Sequence, residues 1–267
     1  MTDVVALASM LDDAARTATA IPQLTATTSL TLDKAYDVQR AGVALRTERG
    51  DAAVGVKLGF TSKAKALQMG VSDAIIGVIT DEMRVDDGGE VDVSRLIHPR
   101  IEPEVAFRLG PDIDPDDPHD DPQTAVLEIA PALEIIDSRY RDFTFSLEDV
   151  VADNTSAARF VVGPWRPFES AQARLDLGNL GVVLELDGAV VETGSTAAIL
   201  GDPLRALPAV KRMARHHGLA LPAGSIILAG AATAAVSLPS QPGISVVATV
   251  TGLGRVCLTT VGGDVDG

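Results

Sequence analysis

Glu102 and Glu104 stand two apart in RIEPEVAFRL (100–109), a stretch whose alternation predicts a β-strand. Successive strand side chains point to opposite faces, so both carboxylates fall on one face. With Cα atoms about 7 Å apart, they repel each other unless positive charge lies between them. Taken alone, the pair also fits the exposed polar face of an edge strand, which Pro103 favours. Glu134 shifts that balance, because it lies inside PALEII between Leu133 and Ile135, in one of the most apolar parts of the chain. A lone carboxylate buried there is costly unless it is protonated, paired or bound to a metal. Three carboxylates without a Cys or His cluster favour a hard, oxygen-preferring cation, Mg²⁺ or Mn²⁺, over zinc.

Lys57 is a lone cation in GVKLGF (55–60), set between two glycines. It either snorkels or pairs structurally, or it is a partly desolvated ammonium aimed at an anionic substrate or a proton-transfer step. SRYRDF (138–143) places Arg139, Tyr140 and Arg141 just after Glu134. A substrate carboxylate could be held there; the alternative is a solvated loop making surface ion pairs. His98, beside Pro99 and Arg100, is read as structural rather than as lining a pocket. His216 and His217 fall at a predicted helix C-terminus, where contact with the helix dipole accounts for them. GLGRVC (252–257) lacks the third glycine of a dinucleotide fingerprint, and neither a phosphate-binding GxxxxGK[ST] nor a GxSxG elbow occurs.

The elements that must position these residues are legible from periodicity. Val4, Leu7, Ala8, Leu11 and Ala15 have helical spacing within 3–18, and Thr31 with Asp33 starts a second helix over 32–48, ended by Gly50. Tyr36, Val38, Val43 and Leu45 are expected to point inward. From Ala53 the texture changes to short apolar segments broken by glycine. Strands are expected at 55–60, 75–80 and 100–109, a short helix at 63–70, and one or two buried strands over 125–136. The Pro- and Asp-rich stretch 111–122 reads as a solvated loop. Ser146 with Asp149 signals a helix start, and another helix lies near 203–217, with Asp202 as cap and Pro208 disturbing its first turns. Segments 181–194, 224–230 and 244–260 read as strand after strand. The outline is α+β, with a helical N-terminal portion over 1–52 and a mixed-sheet domain over 53–267.

Bulk properties limit the function classes. A net charge of −15 argues against nucleic acid and against an anionic membrane surface. No apolar run reaches the roughly 18 residues a membrane span needs, and Asp3, Asp12 and Asp13 replace the basic start of a secretory signal, so a cytoplasmic protein is expected. A single cysteine, Cys257, permits neither an intrachain disulfide nor a Cys-based zinc site. With aromatics at 3%, there is no stacking platform for bases or sugars. A small-molecule substrate fits best.

Taken in order, AYDVQ (35–39), GVKLGFTSKAKALQMGV (55–71), GVITDEM (77–83), HPRIEPEVAF (98–107), PALEIIDSRYRDF (131–143), VADNTSAARFVVG (151–163), AAILGDP (197–203) and GLGRV (252–256) resemble the hydratase and decarboxylase branch of the fumarylacetoacetate hydrolase superfamily. The resemblance implies a mixed β-sandwich roll beside a smaller N-terminal portion. It implies Mg²⁺ or Mn²⁺ on Glu102, Glu104 and Glu134, Lys57 and Asp81 at the active site, and Ser156 as a substrate contact. Homo-oligomers, and a physical complex with a homologous hydratase, are also implied. SRYRDF and TSKAKALQMGV look like the decarboxylase versions, so decarboxylation of 2-oxohex-3-enedioate is expected, with Arg139, Tyr140 or Arg141 at the substrate's far end. The rivals are hydration of 2-hydroxypenta-2,4-dienoate, acylpyruvase-type C–C hydrolysis using His98, and a non-catalytic hydratase partner. Thr196 and Asp202 depart from the family's usual Gly and His, and QPGISVVATV lacks its usual Gly-Asp pair. These departures bear on substrate preference more than on metal binding.

Overall fold

The structure, a computed structural model, describes residues 3–62 and 74–262, so the helix expected at 63–70 lies outside the described residues. Helix α1 (Val4–Arg16) begins where the Asp3 carboxylate accepts the Ala6 N–H, and it buries Leu7, Ala8 and Leu11. Helix α2 (Leu32–Glu48) is capped in the same way by Thr31. It buries Ala35, Tyr36, Val38 and Gln39, while Val43 and Leu45 are only half-buried. Gln39 is buried because its amide donates to the carbonyls of Ile76 and Val151, which ties the helical pair to the sheet. Both helices pack into the same core as Val105, Phe107 and Ile129 of the sheet.

Two mixed sheets follow. The strands are β1 (Ala53–Gly59), β2 (Ile75–Thr80), β3 (Arg84–Val85), β4 (Glu90–Asp92), β5 (Arg100–Leu109), β6 (Val126–Ile136), β7 (Ala157–Val162), β8 (Arg166–Pro167), β9 (Gly181–Leu186), β10 (Ala189–Ser195), β11 (Ile226–Ala231), β12 (Val236–Ser237), β13 (Ser245–Val250) and β14 (Gly254–Val261). The larger sheet runs β2-β1-β11-β5-β6-β7-β3, with β12 pairing β5 and β8 pairing β6. The smaller runs β10-β9-β13-β14-β4. Most neighbours are antiparallel; β1 with β11, β3 with β7 and β4 with β14 are parallel.

The sheets meet face to face through Ile101, Leu133, Ile135 and Val161 on one side and Leu184, Val246, Ala248, Val256 and Leu258 on the other. Strands β5 and β6 lie in the middle of the larger sheet and are buried along most of their length. They form one hairpin-like pair joined by the Asp-rich loop, so 125–136 is a single strand.

Three short helices close the structure. Helix α3 (Leu147–Ala152) starts at a full capping box between Ser146 and Asp149. Helix α4 (Phe168–Arg174) covers β6. Asp202 caps a 3-10 turn, Pro203–Arg205, and helix α5 (Ala206–His217) follows with Pro208 inside its first turn, where no intrahelical N–H is needed. Gly218 ends it in the left-handed region at φ 67°. No helix among the described residues is long and apolar enough to cross a membrane.

Candidate active site

Period-2 geometry and strand register together assemble the three glutamates. Glu102 and Glu104 share a face of β5, and the antiparallel register sets Glu134 of β6 directly opposite Glu102. One oxygen from each lies within 4.8 Å of the others. The residues are 5%, 0% and 1% exposed, which excludes the solvated edge face that Pro103 had favoured. Pro103 is tolerated in a central strand beside an irregularity in β11 between Leu228 and Ala231. That irregularity turns the Gly230 N–H away from the ladder and toward Glu104 Oε2, 2.8 Å away. Gly230 sits at φ +114°, and a Cβ there would run into Thr61 Oγ1 at 2.3 Å, so only glycine serves.

Lys57 comes to the cluster from β1, on the same side of the sheet. Its Nζ lies 3.1 Å from Glu134 Oε2 and donates to the Thr155 carbonyl at 3.2 Å. That carbonyl belongs to the Asn154–Ser156 turn, whose three residues all have φ between 50° and 58°. A β-branched threonine in that region is strained, and such strain persists where the surroundings enforce it. Here the Asn154 amide clamps β2, accepting the Val78 N–H and donating to the Val78 carbonyl, each at 2.8 Å. Gly77 lets the turn come this close, since a Cβ there would lie 2.2 Å from Thr155 Oγ1.

Electrostatically the cluster is incomplete on its own. Burial alone pulls the Lys57 ammonium down, but Glu134, Glu102 and Glu104 reverse that and hold it above its ordinary value. Burial, then Glu134, pushes Glu104 well above the ordinary carboxylate range, and burial also raises Glu134 against the pull of Lys57. Among the described residues, Glu104 Oε1 and Glu134 Oε1 are buried without a hydrogen-bond donor. Among the described residues the cluster sets three buried carboxylates against the Lys57 ammonium, an acidic donor set that suits a divalent cation. The all-oxygen donor set fits Mg²⁺ or Mn²⁺, which hold carboxylate and water ligands, and fits zinc poorly.

A cavity of about 230 Å³ opens onto this cluster. Drug-sized ligands need roughly 300–1,000 Å³, so its size suits a small acid. Lys57, Glu102, Thr155 and Ser156 line one part, and among the described residues the buried Thr155 and Ser156 hydroxyls have no hydrogen-bond partner. Phe60, Ile75, Phe143, Phe145 and Val150 supply apolar wall, and Arg100 a second cation whose guanidinium lies 4.1 Å over the Phe143 ring.

The family model described as Fumarylacetoacetate (FAA) hydrolase C-terminal matches residues 52–261. The chain belongs to the fumarylacetoacetate hydrolase family. Within that family, a 4-oxalocrotonate decarboxylase of a Pseudomonas species is 51% identical over 256 residues, covering 96% of this chain and 97% of its own. The solved 4-oxalocrotonate decarboxylase from Pseudomonas putida G7, complexed with magnesium and adipate, matches with a TM-score of 0.90 at 38% identity, covering 98% of this chain and 99% of its own. A 2-keto-4-pentenoate hydratase of Paraburkholderia xenovorans strain LB400 is 36% identical over 230 residues, covering 85% and 83%. The mixed sheets and helices described above are this family's α+β fold.

The family site expected from the sequence is only partly gathered here. Glu102, Glu104, Glu134, Lys57 and Ser156 converge on one cavity region. Asp81 does not: it follows the far end of β2, exposed, with Arg84 at 3.7 Å as its ion-pair partner. The β1–β2 register explains this, since Gly77 stands opposite Lys57 while Thr80, next to Asp81, stands opposite Ala53.

The three candidates for the substrate's far end also lie away from the cavity. Arg139 is buried but turned away, its guanidinium pairing with Asp153 and donating to the carbonyls of Asp137, Ala157 and Asp153. Tyr140 is fully buried in the helical core and donates to the Asp149 carbonyl at 3.0 Å. Arg141 is exposed on a 3-10 turn. None of the three lines the cavity.

The position the sequence reading missed is Arg100. The alternation that groups Glu102 with Glu104 extends to it, so the signal was present one step earlier in the same strand. Elsewhere, His98 packs its ring 5.3 Å from Phe143 without lining the cavity. Thr196 and Asp202 lie outside it as well. Thr196 bridges Leu177 and Leu180, and Asp202 caps the Pro203 turn.

Proposed function

We propose that the protein decarboxylates 2-oxohex-3-enedioate (4-oxalocrotonate) to 2-hydroxypenta-2,4-dienoate and CO₂, in the meta-cleavage catabolism of aromatic compounds. The observation that carries this reading is a pair of cations, Lys57 and Arg100, lining one small cavity beside three buried glutamates. A six-carbon diacid has a charge for each of them. The likeness to 4-oxalocrotonate decarboxylases over nearly the whole chain supports the same substrate.

In this reading Glu102, Glu104 and Glu134 hold Mg²⁺ or Mn²⁺, which supplies Lewis-acid stabilisation of negative charge at the 2-oxo group. Lys57, held protonated by its carboxylate neighbours, adds positive charge at the oxo-acid end and can deliver a proton to the oxygen. Ser156, with its unpartnered hydroxyl, contacts the substrate at the same end. Breaking the C5–C6 bond releases C6 as CO₂. Its electron pair forms C4=C5, the C3=C4 pair moves to C2=C3, and the carbonyl pair goes to the C2 oxygen, which takes the proton. Arg100 orients the C6 carboxylate, and the cavity's Phe143, Phe145 and Val150 favour loss of its charge as neutral CO₂. A tighter ionic grip would stabilise the ground state and slow the step.

The competing hydratase substrate, 2-hydroxypenta-2,4-dienoate, has no second carboxylate for Arg100 to hold. Purified protein should therefore release CO₂ from the six-carbon diacid in a metal-dependent manner. Arg100→Gln should raise KM for the diacid by about 10- to 100-fold, the worth of one hydrogen bond to a charged group, with metal retention unchanged. Full activity in excess chelator, or water addition to the five-carbon dienol without CO₂ release from the diacid, overturns the assignment. A cytoplasmic homo-oligomer, able to complex with a homologous hydratase, completes the reading. Val190 and Val191, exposed on the edge strand β10, support the self-association.

A further inference from the structure

Behind the candidate active site lies a second cavity of about 260 Å³ with opposite character. Arg16 of α1, Arg46 of α2, Arg95 of the turn after β4, Arg139 and Arg159 of β7 line it, with Glu82 and Asp137 as its carboxylates. In a chain of net charge −15, such a concentration of guanidinium groups needs a physical reason.

Four of these arginines are accounted for nearby, Arg16 by Asp13 at 3.6 Å. Arg46 pairs with Asp51 at 3.3 Å, Arg95 with Asp92 at 3.2 Å, and Arg139 with Asp153. The Asp137 carboxylate is taken up by the N–H groups of Ile97 and His98. Arg159 differs. Its strand position, opposite Ile135 and one step before Phe160, leaves it half-buried at the rim of the layer between the sheets. Among the described residues it makes no ion pair, and its one side-chain hydrogen bond is from Nη1 to the Ala158 carbonyl at 2.8 Å. Burial, then the facing Arg46 guanidinium, lowers its pKa despite Glu82 and Asp137. A half-buried guanidinium with spare donors, in a cavity shared with like charges, has unused capacity for an anion.

The geometry points to this cavity as a binding site for a small oxyanion, phosphate-like or carboxylate, held by Arg159 with Arg46 and Arg95 at the rim. It is separate from the substrate cavity yet adjoins it through one stretch of backbone: Ser156 lines the first cavity and Ala157 the second. The Asp137 N–H, donated to the Ser156 carbonyl at 2.8 Å, closes that shared wall. The anion could be a free solute or a carboxylate from a second copy of the chain, and the test separates these sources.

Inorganic phosphate would be titrated by calorimetry into the full-length protein in chelator-containing buffer, so that the anion has no metal at the glutamates to find. Saturable binding to the wild type is expected, weakened about 10- to 100-fold by Arg159→Gln, the worth of a charged hydrogen bond. Arg159→Lys should recover part of it. Arg95→Gln alters only an exposed side chain and should weaken binding by a few fold even if the β7 variants fold poorly. Sedimentation velocity on the same samples reports self-association. Absence of phosphate binding by the wild type, or equal binding by Arg159→Gln and Arg95→Gln, overturns the free-solute site. Loss of self-association in Arg159→Gln, with no phosphate binding to the wild type, assigns the cavity to a second copy's carboxylate instead.

Discussion

Arg139 and Lys57 are both cations buried among carboxylates, one just after β6 and the other beside Glu134 near its end. Around Arg139 the donors are used: its guanidinium pairs with Asp153 and reaches three carbonyls. Burial still holds the Asp153 carboxyl up at about 6 in spite of Arg139, so the pair is costly, but it is closed. Around Lys57 the described groups are mostly acidic, and among the described residues no donor reaches Glu104 Oε1 or Glu134 Oε1. The difference teaches how to read buried charge. A satisfied cluster holds backbone segments together, whereas one left short of positive charge is built to take something in.

The sharpest way to break this comparison is to neutralise one member of each cluster. Glu104→Gln keeps the shape and the Gly230 contact but deletes a ligand charge. Outer-shell changes at metal sites cost about 10- to 100-fold in affinity, so loss of a direct ligand should cost more than about 100-fold in metal-dependent turnover. In chelator the same variant should melt no lower than the wild type, because a repelling carboxylate has gone. A large drop in Tm without metal would mean that Glu104 is structural and would undo the contrast.

The matching change at the closed cluster, Arg139→Met, should behave in the opposite way. It strands Asp153 and three carbonyls in the interior, and breaking one side of a buried pair costs about 3–5 kcal/mol. Urea unfolding should show that loss, while KM of the remaining folded enzyme stays unchanged. A KM effect with normal stability would return Arg139 to the substrate.

A smaller, pH-dependent effect separates packing from catalysis at the end of α5. The dipole argument from sequence favours charged histidines there, yet His217 stacks on Tyr36 with ring centroids 3.5 Å apart. Burial, then His216 and Arg40, lowers its pKa to about 4, outweighing Asp33. A histidine whose folded pKa is depressed contributes fully above its unfolded value of about 6.5. That contribution is lost as pH falls through about 4. Stability should therefore decline over that window, and His217→Gln should flatten the decline in denaturation measured pH by pH. An unchanged slope would remove His217 from the account.

How much of this was legible in the sequence follows from what each inference depended on. Period-2 alternation placed Glu102 with Glu104, and apolar flanks marked Glu134 as buried, because both signals are local. The helix of 32–48 and the capping box at Ser146 were local as well, and both are present. The pairing of Glu134 with Glu102 rather than with a neighbour one residue away was invisible, since register depends on the partner strand. The direction of SRYRDF was lost for a related reason. Arg139 and Tyr140 are drawn inward by Asp153 and the Asp149 carbonyl, acceptors more than eight residues further along the chain. The pairing of Lys57 with the Asn154–Ser156 turn rests on three consecutive left-handed residues, which no propensity scale favours.

Asp81 tests the same lesson at its weakest point, where motif resemblance placed a residue that geometry does not. It sits in GVITDEM at the end of β2, its side chain two-thirds exposed beside Arg84. The buried acid in that neighbourhood is Asp51, which accepts the Thr80 hydroxyl and the Glu82 N–H and so secures the turn on which Asp81 rides. Exposed substitutions away from such features usually change stability by no more than about 0.5 kcal/mol. Asp81→Asn should therefore leave Tm, kcat and the pH profile of the purified protein nearly unchanged. Asp51→Asn should lower stability and leave KM alone. A loss of kcat in Asp81→Asn with Tm intact would mean that Asp81 reaches a catalytic centre other than the one its own chain builds, and only a second copy packed against this face could provide it.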